Sequence, residues 1–98
     1  MTINKELSGK ELTMNLIGRL DATTAPALEK ELKAYIDELE KLILDFKGLE
    51  YISSAGLRVL LFAQKTMNKQ GKMIIKNVNE TIHEILEVTG FIDILTIQ

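Results

Sequence analysis

The chain has 98 residues, a formal net charge of -2, no cysteine and a single histidine. This length suits one domain, which we expect to span residues 1–98. The absence of cysteine excludes disulfides, thiolate catalysis and cysteine-based zinc sites, and the lack of a dense Lys/Arg block argues against direct nucleic-acid binding.

A β-hairpin is predicted at the amino terminus. Residues Thr2–Leu7 and Leu12–Ile17 flank Ser8–Glu11, a polar, glycine-containing segment that is typical of a turn. In the second segment apolar and polar residues alternate, so one face of the strand should be buried while the other tolerates water. Gly18 is predicted to end this strand.

The first helix is predicted to begin at Thr24, where the spacing of apolar residues changes to three or four. The hydroxyl of Thr23 or Thr24 is expected to cap this helix. Pro26 falls in the first turn, where its missing N–H costs no intrahelical hydrogen bond. The residues expected to face the core are Ala25, Leu28, Leu32, Tyr35, Ile36 and Leu39.

Two further strands and a second helix are predicted in the middle of the chain. A buried strand covers Lys41–Phe46 and should end at Lys47–Gly48. A helix is expected over Ser54–Lys69, with Gly71 as its left-handed stop. Lys72–Lys76 then forms another inner strand.

The carboxyl-terminal region is predicted to contain a third helix and a last strand. Asn77 and Glu80 have the spacing of a capping box that opens the helix, Gly90 closes it, and Phe91–Ile97 adds the strand. The order is therefore β-β-α-β-α-β-α-β. This order predicts an α/β fold with a mixed sheet and helices mainly on one face.

Two adjacent serines, Ser53 and Ser54, lie where the second helix is expected to begin. A phosphate there would meet free N–H groups and the favourable end of the helix dipole, so modification would be compatible with the helix. Serine is also a preferred N-cap residue, and a small residue such as Gly56 permits close packing, so purely structural roles stay open.

Two segments resemble motifs of bacterial anti-sigma-factor antagonists, which are STAS domains. Tyr51–Leu61 (YISSAGLRVLL) is similar to their phosphoserine loop and the helix that follows it, and Gly18–Asp21 (GRLD) is similar to their Gly-x-Leu-Asp turn. The order of the elements agrees as well. The resemblance covers essentially the whole chain and implies a single STAS domain.

This resemblance implies a phosphorylation switch. The phosphoacceptor falls on Ser54, and the unmodified protein would bind an anti-sigma factor with serine kinase activity, which frees a sigma factor. Phosphorylation would inactivate the protein, and a phosphatase would reset it. The implied partner-binding residues are Asp21, Ser53, Ser54, Ala55, Gly56 and Arg58.

The chain departs from the usual motif at three positions. Ser53 stands where an acidic residue often precedes the acceptor, which leaves open which serine is modified. Ala55 replaces a frequent Ser or Thr, and Arg58 replaces a common second glycine. Arg58 has three possible roles, namely to set the charge preference for a partner, to fold back toward a phosphate on Ser54, or to be an ordinary solvated charge.

Two alternatives to the switch stay open. One is a STAS subunit that mediates interactions or senses a ligand in another signalling or membrane-associated complex, without phosphorylation. The other is a small hydrolase that uses Asp21, Asp45 and Ser54. With His83 as the only histidine and no phosphate-binding glycine-lysine loop, catalysis is not expected, and neither a metal nor a cofactor is expected.

No signal-peptide pattern is found at the amino terminus, and no apolar run approaches the roughly 20 residues that span a bilayer. We therefore expect a cytoplasmic protein without membrane insertion.

Overall fold

The computed structural model describes all residues, 1–98. Four strands form one sheet in the order β1-β2-β3-β4, in which β1 and β2 are antiparallel and the other pairs are parallel. None of the helices combines the length and apolar character needed to cross a membrane. The elements are β1 (Thr2–Ser8), β2 (Glu11–Leu20), α1 (Ala25–Tyr35), β3 (Lys41–Ile52), α2 (Ser54–Asn68), β4 (Lys72–Lys76) and α3 (Glu80–Thr89).

The core lies between one face of the sheet and the helices. In β2, Leu12, Met14 and Leu16 are fully buried, whereas Asn15 and Ile17 on the other face are exposed. Buried residues of all three helices join this face in one continuous hydrophobic cluster. The predicted α/β class, with a mixed sheet and helices mainly on one face, is confirmed.

Both central strands are longer than the sequence pattern predicted. β2 continues through Gly18, and β3 continues through Lys47–Gly48, so the strands contain 10 and 12 residues respectively. Their pairing shifts register at two irregularities, where β3 accommodates the additional residues. Gly18 has a φ of 107° beside the second of these. Glycine therefore permits a local distortion here rather than ending the strand.

The third helix is capped by a different asparagine from the one predicted. Asn79 precedes α3, and its side chain accepts a hydrogen bond of 2.9 Å from the Ile82 amide. Asn77 instead has a φ of 59°, and its Nδ2 donates to the Asp45 carboxylate at 2.9 Å. Asn77 thus forms a left-handed turn before the helix, a conformation that asparagine tolerates better than most residues.

Gly71 is not the left-handed stop that the sequence predicted. α2 ends at Asn68, and its C-cap residue, Lys69, is in the right-handed conformation with a φ of -86°. A Cβ on Gly71 would lie 1.9 Å from the carbonyl oxygen of Glu40. Glycine is needed at this position because two backbones approach closely. Gly90, with a φ of 81°, ends α3 in the left-handed conformation that the sequence predicted.

The last predicted strand is reduced to a single bridge. Phe91–Asp93 forms a short 3₁₀ turn, and only Ile97 pairs with Ile75 beside β4. Phe91 and Ile92 pack against the core after the turn at Gly90. This packing replaces the extended path that a continuous strand would need.

Candidate functional site

The candidate site lies at the carboxyl ends of β2 and β3. Leu20 and Ile52 are paired at these ends, and the Ser53 amide donates a hydrogen bond of 2.8 Å to the Leu20 carbonyl. Parallel strands end at the same edge of a sheet, which is where open α/β sheets carry their functional groups. The fold therefore places the turn at Asp21 beside Ser53 and the start of α2.

Ser53 occupies the N-cap position of α2 but does not act as a hydrogen-bonded cap. Its side chain makes no capping bond, and its Oγ exposes less than 1 Å² and has no hydrogen-bond partner. Burial of a hydroxyl without a partner is unfavourable. The hydroxyl is also out of reach of an external enzyme in this conformation.

Ser54 is the first residue of α2 and is exposed. The first intrahelical bond runs from the Leu57 amide to the Ser53 carbonyl at 3.0 Å. The amides that precede Leu57 in the first turn have no intrahelical acceptor. An anionic group attached to Ser54 would therefore meet free N–H donors and the positive end of the helix dipole.

Gly56 is buried beneath the exposed first turn of α2. A Cβ at Gly56 would lie 2.6 Å from Leu20 Cγ and 3.1 Å from Ile52 Cγ2. The missing side chain lets the first turn of α2 approach the ends of both strands. Of the predicted partner-binding residues, Ala55 is partly exposed and Arg58 is exposed.

Asp21 organises the turn between β2 and α1. Its Oδ1 accepts hydrogen bonds from the Thr23 hydroxyl at 2.7 Å and from the amides of Thr23 and Thr24 at 3.0 and 3.2 Å. The Thr23 hydroxyl is the main cause that holds the pKa of the Asp21 carboxyl below its ordinary value, and the backbone amides add to this effect. The side chain is therefore a structured anion at neutral pH.

The threonines of this turn do not cap α1 as the sequence predicted. Thr24 stands at the N-cap position, but its hydroxyl makes no bond to a helix amide. It donates to the Arg19 carbonyl at 2.7 Å and accepts from the Asp21 amide at 2.9 Å. The hydroxyl therefore bonds to the end of β2 and to the turn, while the Asp21 carboxylate accepts from the Thr23 and Thr24 amides.

Arg58 lies on α2 beside a groove between α1 and α2. The groove is also lined by Ala55, Lys30, Lys33 and Glu29. Arg58 forms no ion pair, whereas Lys33 contacts Glu29 at 2.9 Å. The surface next to Ser54 therefore presents an uncommitted guanidinium group.

Arg19 is a residue of this region that sequence reasoning missed. Its guanidinium lies 4.5 Å from the centre of the Tyr51 ring, and its Nε is 3.8 Å from Asp21 Oδ2. Arg19 and Tyr51 are neighbours in the β2–β3 register. Parallel pairing of the two motif-bearing strands was the only pattern that could have indicated this contact.

Asp45 is not brought to the site. Its Oδ1 accepts hydrogen bonds of 2.9 Å from the Lys47 amide and from Asn77 Nδ2. It lies seven positions before Ile52 at the end of β3, a span of about 20 Å of extended chain. The structure therefore does not assemble the Asp21, Asp45 and Ser54 set that the hydrolase hypothesis requires.

Comparison with known families identifies the family of this chain. A family model described as the STAS domain matches residues 2–98. The chain belongs to the STAS domain family. The predicted family is thus confirmed.

Three bacterial proteins that resemble this chain in sequence bear the name of anti-sigma factor antagonists. The chain is 37% identical over 84 residues to BtrV of Bordetella bronchiseptica, a candidate anti-sigma factor antagonist. The aligned region covers 84% of this chain and 72% of BtrV. It is 32% identical over 89 residues to the anti-sigma F factor antagonist of Paenibacillus polymyxa, with coverages of 88% and 76%. The anti-sigma-B factor antagonist of Bacillus subtilis is 29% identical over 101 residues, with coverages of 100% and 93%.

Solved structures of anti-sigma factor antagonists have the same fold. An anti-sigma factor antagonist from Mycobacterium paratuberculosis has a TM-score of 0.87 at 23% identity, covering 98% of this chain and 83% of that one. The anti-sigma factor antagonist SpoIIAA in its unphosphorylated form has a TM-score of 0.78 at 16% identity, with coverages of 99% and 87%. These identities are low, so the matches show the fold alone.

Proposed function

We propose that this protein is an anti-sigma-factor antagonist that binds an anti-sigma factor with serine kinase activity while Ser54 is unmodified. Binding would free a sigma factor, and phosphorylation of Ser54 would end the interaction. The names of the relatives from Bordetella, Paenibacillus and Bacillus support the assignment of the partner class. This function would be exercised in the cytoplasm.

The observation on which the proposal depends is the different exposure of two adjacent serines. Ser54 is exposed at the start of α2, whereas the Oγ of Ser53 is buried. A kinase needs the hydroxyl oxygen as a nucleophile, so it must be able to contact that atom. The geometry therefore favours Ser54 over Ser53 as the acceptor.

Sequence similarity favours this function over the alternative of a STAS subunit in another complex. The fold alone does not discriminate, because a sulfate transporter family protein from Wolinella succinogenes has a TM-score of 0.77 at 21% identity. The relatives at 29 to 37% identity, by contrast, all bear the name of anti-sigma factor antagonists.

The chemistry of the switch belongs to the partners. The kinase would transfer the γ-phosphoryl group of ATP to Ser54 Oγ, which loses its proton, and ADP would leave. A phosphatase would restore the hydroxyl by hydrolysis and release phosphate. This chain supplies only the acceptor and the docking surface, so we propose no enzymatic activity for it.

Phosphorylation would act at the interface rather than on the fold. It adds about -1.5 to -2 charge at pH 7, which a contact formed around a neutral hydroxyl does not accommodate. The start of α2 favours an anion, so the helix should persist. SpoIIAA has been solved in a phosphorylated form as well, and that structure matches this chain with a TM-score of 0.77.

Affinity measurements with the partner test this proposal. The anti-sigma factor captured by the immobilised wild-type protein would be purified, and its affinity for wild type, Ser54→Ala and Ser54→Asp measured by calorimetry without ATP. We expect Ser54→Ala to bind nearly as well as wild type and Ser54→Asp to bind at least about tenfold more weakly, a loss of about 1.4 kcal/mol.

A control separates local charge from net charge. Lys65 is exposed on α2 away from the groove, and Lys65→Gln changes the net charge by the same amount as Ser54→Asp. Lys65→Gln should bind like wild type. Equal affinity of Ser54→Asp and wild type would contradict the proposed role of Ser54.

A further inference from the structure

We propose that a phosphoryl group on Ser54 is bound within the same molecule by Arg58, which lines the groove between α1 and α2. This inference rests on the proposed function, because it requires Ser54 to be modified. It assigns Arg58 as a positioning residue for the phosphorylated state.

The spacing along α2 places the two side chains together. Ser54 and Arg58 are four residues apart in one helix, so their Cβ atoms are about 5–6 Å from each other. Side chains in a helix lean toward its amino terminus. The long side chain of Arg58 therefore extends over the surface next to Ser54.

Arg58 is free to accept such a ligand. It is exposed and forms no ion pair. The other arginine, Arg19, is engaged by Asp21 and by the Tyr51 ring. A guanidinium group presents paired N–H donors that match two oxygens of a phosphate, which makes Arg58 better suited to this role than a lysine.

The charges around the groove favour an anion. Lys30 lines the groove with Arg58 and also lacks an ion-pair partner. The one carboxylate that lines it, Glu29, is held by Lys33 at 2.9 Å. The nearby Asp21 carboxylate accepts hydrogen bonds within its own turn. Two uncommitted cations therefore face the groove in a chain whose net charge is -2.

With this contact, phosphorylation would change the docking surface in two ways. The phosphate adds negative charge at Ser54, and it also engages the Arg58 guanidinium, which in the unmodified protein is free to contact a partner. The surface would lose a donor as it gains an anion. Both changes act within one helical turn, so no rearrangement of the core is needed.

A titration of the phosphate tests the contact directly. Phosphoserine would be incorporated at position 54 during synthesis of the full chain, and the second pKa of the phosphate measured by ³¹P NMR in wild type, Arg58→Gln, Arg58→Lys and Lys65→Gln. A nearby cation stabilises the dianion. We therefore expect Arg58→Gln to raise this pKa by about half a unit, as for a partly exposed charge pair.

The variants distinguish a specific contact from a general effect of charge. Arg58→Lys should raise the pKa by less than Arg58→Gln, and Lys65→Gln should leave it at the wild-type value. An unchanged pKa in Arg58→Gln would overturn the proposal, as would an equal rise in Lys65→Gln. Incorporation during synthesis needs no kinase, so failure of this test and failure of the proposed function are separate results.

Discussion

The backbone amide of Ser53 donates a hydrogen bond of 2.8 Å to the carbonyl of Leu20. Leu20 is the last residue of β2 and Ser53 is the N-cap residue of α2, so this bond joins the end of the strand to the start of the helix. Asp21 follows Leu20 directly, and Ser54 follows Ser53. The position of the exposed serine relative to the Asp21 turn is therefore fixed by main-chain pairing rather than by side-chain contact.

Substitution of two glycines by alanine should show that a clash with a backbone is more destabilising than a clash with side chains. At Gly71 a new Cβ would meet the Glu40 carbonyl oxygen at 1.9 Å, whereas at Gly56 it would meet the side chains of Leu20 and Ile52. A side chain can shift more easily than a backbone, so Gly71→Ala should destabilise the fold more than Gly56→Ala. We expect losses of roughly 1–3 kcal/mol in urea unfolding. A larger loss for Gly56→Ala would contradict this ranking.

The capping asparagine can be identified by mutation. Asn79 accepts from the Ile82 amide and donates to the Leu49 carbonyl, each at 2.9 Å. Asn79→Ala should lower the free energy of unfolding by about 1–2 kcal/mol. Asn77→Gly should be nearly neutral, because glycine adopts the φ of 59° readily and only an exposed bond to Asp45 is lost. Thermal unfolding that shows the reverse order would assign the cap to Asn77.

Two glutamines should respond in opposite directions to replacement by methionine. Gln64 is 5% exposed and its buried Oε1 has no hydrogen-bond partner. Its Nε2 donates to Asn68 Oδ1 at 2.8 Å, but Asn68 is exposed and can bond to water instead. Gln64→Met therefore removes the unsatisfied oxygen at little cost, with little change in volume, and should raise the free energy of unfolding by up to about 1 kcal/mol. Gln70 donates to the carbonyls of Ile36 and Leu39, so Gln70→Met should lower it by about the same amount. Urea unfolding of both variants measures these changes, and destabilisation by Gln64→Met would show that its buried amide is needed.

The Asp21 carboxylate should make the stability of the fold depend on pH in the acidic range. The folded-state pKa of Asp21 is lowered chiefly by the Thr23 hydroxyl, so the ionised carboxylate stabilises the folded state above the pKa of the unfolded chain, near 4. This contribution is lost as the pH falls through the lower folded-state value. The free energies of unfolding of wild type and Asp21→Asn, measured in urea, should differ by a constant amount near neutral pH and by less below about pH 4. A difference that grows in acid would contradict the assignment.

Much of the architecture follows from patterns that depend on a single element. The alternation around Met14 predicts a half-buried strand, and the three-to-four spacing from Ala25 to Leu39 predicts an amphipathic helix. The order of the elements then fixes which strands can be parallel neighbours. These local rules predicted the elements, whereas the grouping of Asp21 with the two serines rested on the resemblance of their segments to motifs of anti-sigma-factor antagonists.

The features that sequence did not predict depend on contacts between elements. Gly18 and Gly48 looked like strand ends, because the irregular pairing that accommodates them exists only when β2 and β3 are side by side. The role of Gly71 depends on the backbone at Glu40. The burial of the Ser53 hydroxyl depends on where α2 begins and on the packing beneath it. The residue spacing within a single segment could not have predicted any of these three features.

Site mapping of a kinase reaction shows whether Ser54 is the phosphoacceptor. The protein would be incubated with the purified anti-sigma factor and ATP, and fragment ions that separate the two adjacent serines would locate the phosphate by mass spectrometry. We predict one phosphate, on Ser54, and none in Ser54→Ala. Phosphate found on Ser53, or undiminished incorporation in Ser54→Ala, would contradict the assignment of Ser54 as the phosphoacceptor.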